Sequence, residues 1–303
     1  VVVLDNLSVG TREDLRDVSE FTEWAPGAAA GRLSLVVADI MDEGAVASAA
    51  AGVDVIVHLA ANTGVGPSVD DPRQDCLTNV IGTLNVLEAA RHNGVSRVIF
   101  ASSGAPIGEC EPPIHEELAA HPVSPYGASK LAGEGYCSAY NRSFGIDTVA
   151  LRFGNVYGQR SKHKSSVVAK FIGQALRGEV LEIFGDGGQT RDFIHVDDLV
   201  DAIRKAAVTE GIGGEVFQIA TDRETTVNEL TDTLKSILLE ARPDLEIVTM
   251  NSEPRTGDVR RNFSDTSKAQ ELLGWQAGTS LREGISTTVD WFLAEQLPRK
   301  SRG

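Results

Sequence analysis

Over its first half the chain alternates short runs of Val, Ile, Leu and Ala with longer amphipathic stretches. Residues 1–5, 33–38, 53–59, 97–102 and 147–153 are nearly continuous apolar segments, which is how strands buried on both faces of a sheet read. Between them, residues 42–50, 72–93 and 124–144 carry apolar positions at helical spacing. Strand and helix in alternation predict an α/β fold built on a doubly wound parallel sheet. Beyond residue 153 the pattern loosens into segments rich in Gly, Ser and charge, with helices predicted near 166–177, 197–207, 227–240 and 280–296. That second pattern predicts a smaller α/β lobe, and no low-complexity linker separates it from the first.

The densest chemistry lies in Ser124-Pro125-Tyr126-Gly127-Ala128-Ser129-Lys130. Ser124 suits an N-cap and Pro125 the first helical position, so Tyr126 and Lys130 fall one turn apart on one helix face. A free phenol titrates near pH ~10, but an adjacent ammonium and the positive end of a helix dipole both favour the phenolate. The spacing therefore predicts a tuned acid/base. The strand at residues 97–102 leads into Ser102-Ser103-Gly104, and the carboxyl ends of strands are where ligands of open α/β sheets gather. Ser103 is thus expected beside Tyr126, bonding a substrate hydroxyl.

With these residues the chain resembles the extended short-chain dehydrogenase/reductase family, and within it the NAD-dependent nucleotide-sugar epimerases and dehydratases, the UDP-glucose 4-epimerase branch above all. Further matches are Val57-His58-Leu59-Ala60-Ala61, Asn79-Val80-Ile81-Gly82-Thr83, Leu151-Arg152-Phe153-Gly154-Asn155-Val156-Tyr157-Gly158, Thr190-Arg191-Asp192-Phe193-Ile194-His195-Val196-Asp197-Asp198 and Arg255-Thr256-Gly257-Asp258. The resemblance implies catalysis by Ser103, Tyr126 and Lys130, with a 4-keto sugar formed and reduced again on its other face. It implies a cofactor-binding Rossmann domain over residues 1–154 with a return segment at about 193–209, and a sugar-nucleotide lobe at 155–192 and 210–303. It also implies a homodimer joined through the helices at 72–93 and 124–144.

For the cofactor, Asp5 at a strand end accepts hydrogen bonds from the adenosine ribose, which favours NAD because a carboxylate repels the 2′-phosphate of NADP. The resemblance adds Asn6, Asp39, Ile40, Leu59, Ala60, Ala61, Asn79 and Ser102, together with Tyr126 and Lys130. For a UDP-sugar it implies Asn155, Arg191 and Arg255 at the phosphates, Asp258 at the ribose, Val168 and Phe184 at the base, and Ser103 at the sugar. Arg is the residue type for bidentate phosphate contacts. Asn262 aligns with the position where members restricted to glucose and galactose carry a bulky Tyr, so an N-acetyl group is expected to be tolerated. His58 and His195 lie in apolar strands and read as structural.

Two departures from the family pattern qualify these expectations. The usual opening strand and Gly-x-x-Gly-x-x-Gly turn, which hold the cofactor pyrophosphate at a helix N-terminus, are not in the sequence, and the chain reads as a Rossmann domain truncated by its first βα unit. Family 4,6-dehydratases follow the catalytic hydroxyl residue with Asp-Glu, whereas Gly104 and Ala105 stand here and can move no proton. The usual 4,6-dehydration is therefore disfavoured and epimerisation is the first reading, with another dehydratase, a decarboxylase, or a non-catalytic NAD- or sugar-nucleotide-binding protein as the alternatives.

Charge and cysteine content narrow the rest. A formal net charge of -15 argues against nucleic-acid affinity and makes an anionic substrate depend on local arginines. The 3 cysteines have no metal-like spacing and suit a reduced, cytoplasmic protein. No apolar run approaches the ~20 residues that cross a bilayer.

Overall fold

The computed structural model describes residues 1–24, 31–161, 166–254 and 259–296. In chain order the elements are β1 (Val2–Asp5), α1 (Arg12–Arg16), β2 (Thr22–Glu23), β3 (Ser34–Val37), α2 (Glu43–Ala49), β4 (Val55–His58), α3 (Val65–Asp70) and α4 (Pro72–Cys76). A π-helical turn (Leu77–Ile81) leads into α5 (Gly82–Asn93), β5 (Arg97–Ser103), α6 (Pro125–Phe144), β6 (Asp147–Phe153), β7 (Asn155–Tyr157), α7 (Val167–Leu176) and β8 (Leu181–Phe184). Then come β9 (Thr190–Arg191), β10 (Phe193–His195), α8 (Val196–Val208), β11 (Val216–Ile219), β12 (Thr225–Thr226), α9 (Val227–Ala241), β13 (Thr249–Ser252), α10 (Ser267–Leu273) and α11 (Leu281–Gln296).

The chain divides into two units. The first holds residues 1–109, 119–152 and 206–217. Its strands form two ladders, β1-β3-β2 and β11-β6-β5-β4. The pairs β1·β3, β2·β3 and β4·β5 are parallel, as the strand-helix alternation predicts. Phe100, Val98, Leu87, Val86 and Ala90 form the centre of a core cluster that α2, α5 and α6 cover. Truncating a residue such as Phe100, which is 1% exposed, costs about 3–5 kcal/mol.

The second unit holds residues 110–118, 153–205 and 218–303. Its short strands pair as β7·β10 and β8·β13 in parallel and β9·β12 antiparallel. Its core joins Phe171, Leu181, Leu230, Leu234, Leu238 and Ile285, contributed mainly by α7, α9 and α11. The return to the first unit falls at 206–217 instead of 193–209. The first part of α8 stays in the second unit, held by Trp275, whose Nε1 donates to the Asp198 carbonyl at 3.0 Å. Residues 110–118 join that unit because Ile114 bridges to Ser264.

The helix expected over 72–93 is interrupted. An i→i+5 turn at Leu77–Ile81 replaces regular α-helix, and Asn79 is buried in it. Such turns rotate the following residues inward and are frequent at functional sites.

Candidate active site

In the first unit β5 and α6 are forced into close contact. A Cβ at Gly127 would meet the Ala105 carbonyl oxygen at 2.6 Å, and one at Gly133 would enter the ring of Phe100. Only residues without a side chain let the helix lie this close to the strand. α6 starts as its sequence dictates: Ser124 Oγ accepts from the Gly127 N–H at 3.1 Å and Pro125 occupies the first turn. Tyr126 and Lys130 then project toward the carboxyl end of β5. Lys130 Nζ donates to the Ala101 carbonyl at 2.9 Å and lies 5.0 Å from the Phe100 ring centroid and 5.9 Å from that of Tyr126.

Along β5 the pleat sends Ser102 and Ser103 to opposite faces. Ser102 is buried and donates to Glu134 Oε1 at 2.6 Å, while Ser103 remains half-buried and hydrogen-bonds Tyr126. Glu134 in turn receives two hydrogen bonds from Arg152 at 2.8 Å, an ion pair whose side chains are each 6% exposed.

The electrostatics differ from the sequence-based expectation. Burial raises the Tyr126 phenol pKa, the hydrogen bond from Ser103 offsets this only in part, and the charge of Asp75 raises it further. Lys130 is itself pushed down to about 8 by burial. Tyr126 is thus a protonated phenol in the resting protein, held so chiefly by burial. His58 is buried, meets Thr83 Oγ1 at 3.0 Å and is pushed down to about 3 by burial and by Lys130, so it is a neutral structural residue.

The expected cofactor residues separate into two groups. Asp5, Asn6 and Asp39 lie exposed at the carboxyl ends of adjacent parallel strands, where Asn6 Nδ2 donates to Asp39 Oδ2 at 2.8 Å and Asp5 Oδ1 accepts from the Leu7 N–H at 2.7 Å. Leu59 is 55% exposed at the end of β4, followed by exposed Ala60 and half-buried Ala61. An outward carboxylate shelf beside small apolar residues fits a dinucleotide with a free ribose diol. The second group faces inward. Ile40 is 7% exposed and belongs to the core. Asn79 spends its amide on the protein: Nδ2 donates to the Asn62 carbonyl at 2.9 Å, Asp75 Oδ1 at 2.9 Å and Ser129 Oγ at 3.1 Å, and Oδ1 accepts from the Asn62 N–H. The side chains of Ile40, Asn79 and Ser102 therefore face the protein interior.

The second unit holds a cavity of about 280 Å³ whose wall includes Asn155, Lys170, Glu182, Phe184, Gln189 and Arg191. Parallel pairing of β7 with β10 sets Asn155 at its edge, and the Asn155 N–H donates to the Asp192 carbonyl at 2.8 Å. The Arg191 guanidinium is steadied by the carbonyls of Thr190 and Val259, at 2.5 and 2.7 Å. Lys170 Nζ stands 5.8 Å from the Phe184 ring centroid. Two cations and an aromatic face in one recess suit a phosphorylated ring compound, although the chain as a whole is acidic. Helical rotation places Val167 at this wall, while Val168 beside it is buried at 1% exposure. Asn262 is half-buried and its N–H donates to Thr190 Oγ1 at 3.3 Å. Arg255 and Asp258 lie outside the described residues.

Residues 1–220 match the model of the NAD dependent epimerase/dehydratase family. The chain belongs to that family. This family member is 38% identical over 298 residues to the UDP-glucose 4-epimerase of Mycolicibacterium smegmatis, covering 96% of this chain and 90% of that protein. It superposes with a TM-score of 0.85 and 38% identity on the Thermotoga maritima UDP-glucose 4-epimerase solved with UDP-glucose, over 97% of this chain and 91% of that one. A UDP-N-acetylglucosamine 4-epimerase from Methanobrevibacter ruminantium in complex with UDP-N-acetylmuramic acid gives a TM-score of 0.86 at 30% identity, over 98% and 91% of the two chains. In this family member, Asp75, Lys170, Glu182 and the Glu134–Arg152 pair were not anticipated. The available signals were helical spacing of Asp75 before Asn79 and of Glu134 after Lys130, and a lone Arg in the apolar strand β6.

Proposed function

We propose that the chain epimerises a UDP-hexose or UDP-N-acetylhexosamine at C4, with NAD as its bound cofactor. The observation that carries this reading is the convergence of Ser103, Tyr126 and Lys130 where α6 crosses the carboxyl end of β5. Bound NAD supplies reversible hydride acceptance. Ser103 orients the sugar 4-hydroxyl; Tyr126, once its own phenol proton has been lost to solvent, takes the hydroxyl proton and later returns it to the same oxygen. Lys130 places a positive charge beside the forming phenolate and lowers the cost of that charge. Asp5, Asn6 and Asp39 are assigned to the adenosine ribose and adenine, Leu59, Ala60 and Ala61 to the pyrophosphate side. Asn155, Arg191 and Phe184 are assigned to the nucleoside diphosphate.

The chain is further assigned to the cytoplasm and to a homodimer built on α5 and α6. In support, α6 exposes Tyr136 and Phe144 at 38% and 49%, Cys76, Cys110 and Cys137 are free, and no helix among the described residues is long and apolar enough to cross a membrane. Incubation with a panel of UDP-sugars, with products identified by NMR, tests the reaction. Formation of a 4,6-dehydrated product, or no conversion of any UDP-sugar in the presence of NAD, would overturn it.

A further inference from the structure

Asp75 is buried to 1% exposure at the end of α4, one turn before Asn79. Its Oδ1 accepts from Asn79 Nδ2 at 2.9 Å, and its Oδ2 is buried without a hydrogen-bond partner. A carboxylate left half-paired inside a protein is costly unless another charge compensates it. The groups around α6 identify that charge. Lys130 Nζ has one hydrogen-bond acceptor, the Ala101 carbonyl, and feels the negative charge of Asp75. Cys137, the other acid acting on Lys130, is a thiol pushed up to about 12 by burial and is neutral. His58 is neutral, Tyr126 is a protonated phenol, and Glu134 is neutralised by Arg152. Asp75 is therefore the carboxyl group whose influence on the Lys130 ammonium is left unmatched by any of these other partners. A second link is mechanical: the Asn79 amide that donates to Asp75 also donates to Ser129 Oγ, which donates to the Tyr126 carbonyl at 3.0 Å.

We propose that Asp75 is a positioning residue: it supplies the buried counter-charge of Lys130 and, through Asn79 and Ser129, ties the first turn of α6 to the π-helical turn. The inference rests on the reading of Tyr126 and Lys130 as the reacting pair. Burial alone strips Lys130 of its proton too readily, and Asp75 opposes this. The same charge raises the phenol of Tyr126, so the resting site keeps both protons.

The test is an NMR titration of the whole protein carrying 13Cε-lysine, with the Lys130 signal assigned by its loss in Lys130→Met. Asp75→Asn retains the acceptor for Asn79 and removes the charge. It should lower the Lys130 midpoint by about one pH unit, the shift expected of a nearby opposite charge. Asp75→Glu keeps the charge and should leave the midpoint near that of wild type. In the pH profile of kcat/KM, both limbs of Asp75→Asn should move to lower pH, because both groups lose a neighbour that raises them. An unchanged Lys130 midpoint overturns the proposal, as does a lowering reproduced by Asp75→Glu. If Asp75→Asn does not fold, Asp75→Ser offers Asn79 a short oxygen without charge and is read the same way. Tyr126→Phe assayed alongside separates the two claims: wild-type turnover by it would end the proposed reaction, while the titration still reports on Asp75.

Discussion

Arg152→Met should be among the most damaging single changes in the first unit. It removes two hydrogen bonds of 2.8 Å and leaves the Glu134 carboxyl group, 6% exposed, with only the Ser102 hydroxyl at 2.6 Å. At that depth solvent screens little, and breaking a buried pair by removing one partner costs about 3–5 kcal/mol. Each kcal/mol lowers the melting temperature by about 2–4 °C in a body of this size, so a fall of roughly 6–20 °C is expected. The pair is itself imperfect, since Arg152 Nη1 is buried without a partner. Glu134→Leu combined with Arg152→Met and Ser102→Ala should therefore recover most of the loss, apolar replacement of buried pairs being often neutral or stabilising. Because the chain has two units, hydrogen exchange of peptides from β5 and α6 is the appropriate assay, read beside thermal unfolding. A single mutant within about 1 kcal/mol of wild type, or a triple mutant worse than the single, would refute the reasoning.

Three other outcomes are expected. Tyr126→Phe should keep the wild-type melting temperature and lose at least ~10² in turnover, measured by coupled assay of the epimerised sugar; a smaller loss removes Tyr126 as the proton carrier. His58, held near 3 when folded and titrating near ~6.5 when unfolded, takes up its proton only on unfolding, so stability is full above about pH 6.5 and falls as pH drops toward 3. His58→Asn should flatten that acid slope by up to about 1.4 kcal/mol per pH unit in urea titrations, and an unaltered slope would contradict the assignment. Asn262→Tyr should penalise kcat/KM for UDP-N-acetylglucosamine relative to UDP-glucose by more than tenfold, or over ~1.4 kcal/mol; an equal effect on both sugars rejects Asn262 as a wall of the C2 pocket.

The start of α6 was legible because Ser124, Pro125, Tyr126 and Lys130 act within one helical turn, where local rules decide geometry. The exposed shelf of Asp5, Asn6 and Asp39 was legible for a similar reason: strand ends follow from the apolar runs. Less legible was which way a side chain turns. Ser102 and Ser103 are alternatives that only the pleat of β5 separates, and Val167 and Val168 differ by one step of helical rotation. The burial of Asn79 was not legible, since a π-helical turn leaves no mark in an amphipathic pattern. Proton affinities were the least legible part: the spacing of Tyr126 and Lys130 shows their attraction, whereas their burial depends on Phe100, Gly133 and the rest of a core assembled from distant segments.

The bare surface of Gly133 against Phe100, together with the Glu134–Arg152 clasp, indexes α6 on the sheet from within the first unit. Residues 110–118, within the connection between Ser103 and Pro125, consequently need not act as a spacer. That stretch belongs to the second unit. Lengthening or rewriting it is then a change of accessory, comparable to refitting the jaw of a tool whose pivot is machined elsewhere. Libraries confined to residues 110–118 should leave the acid/base pair in register.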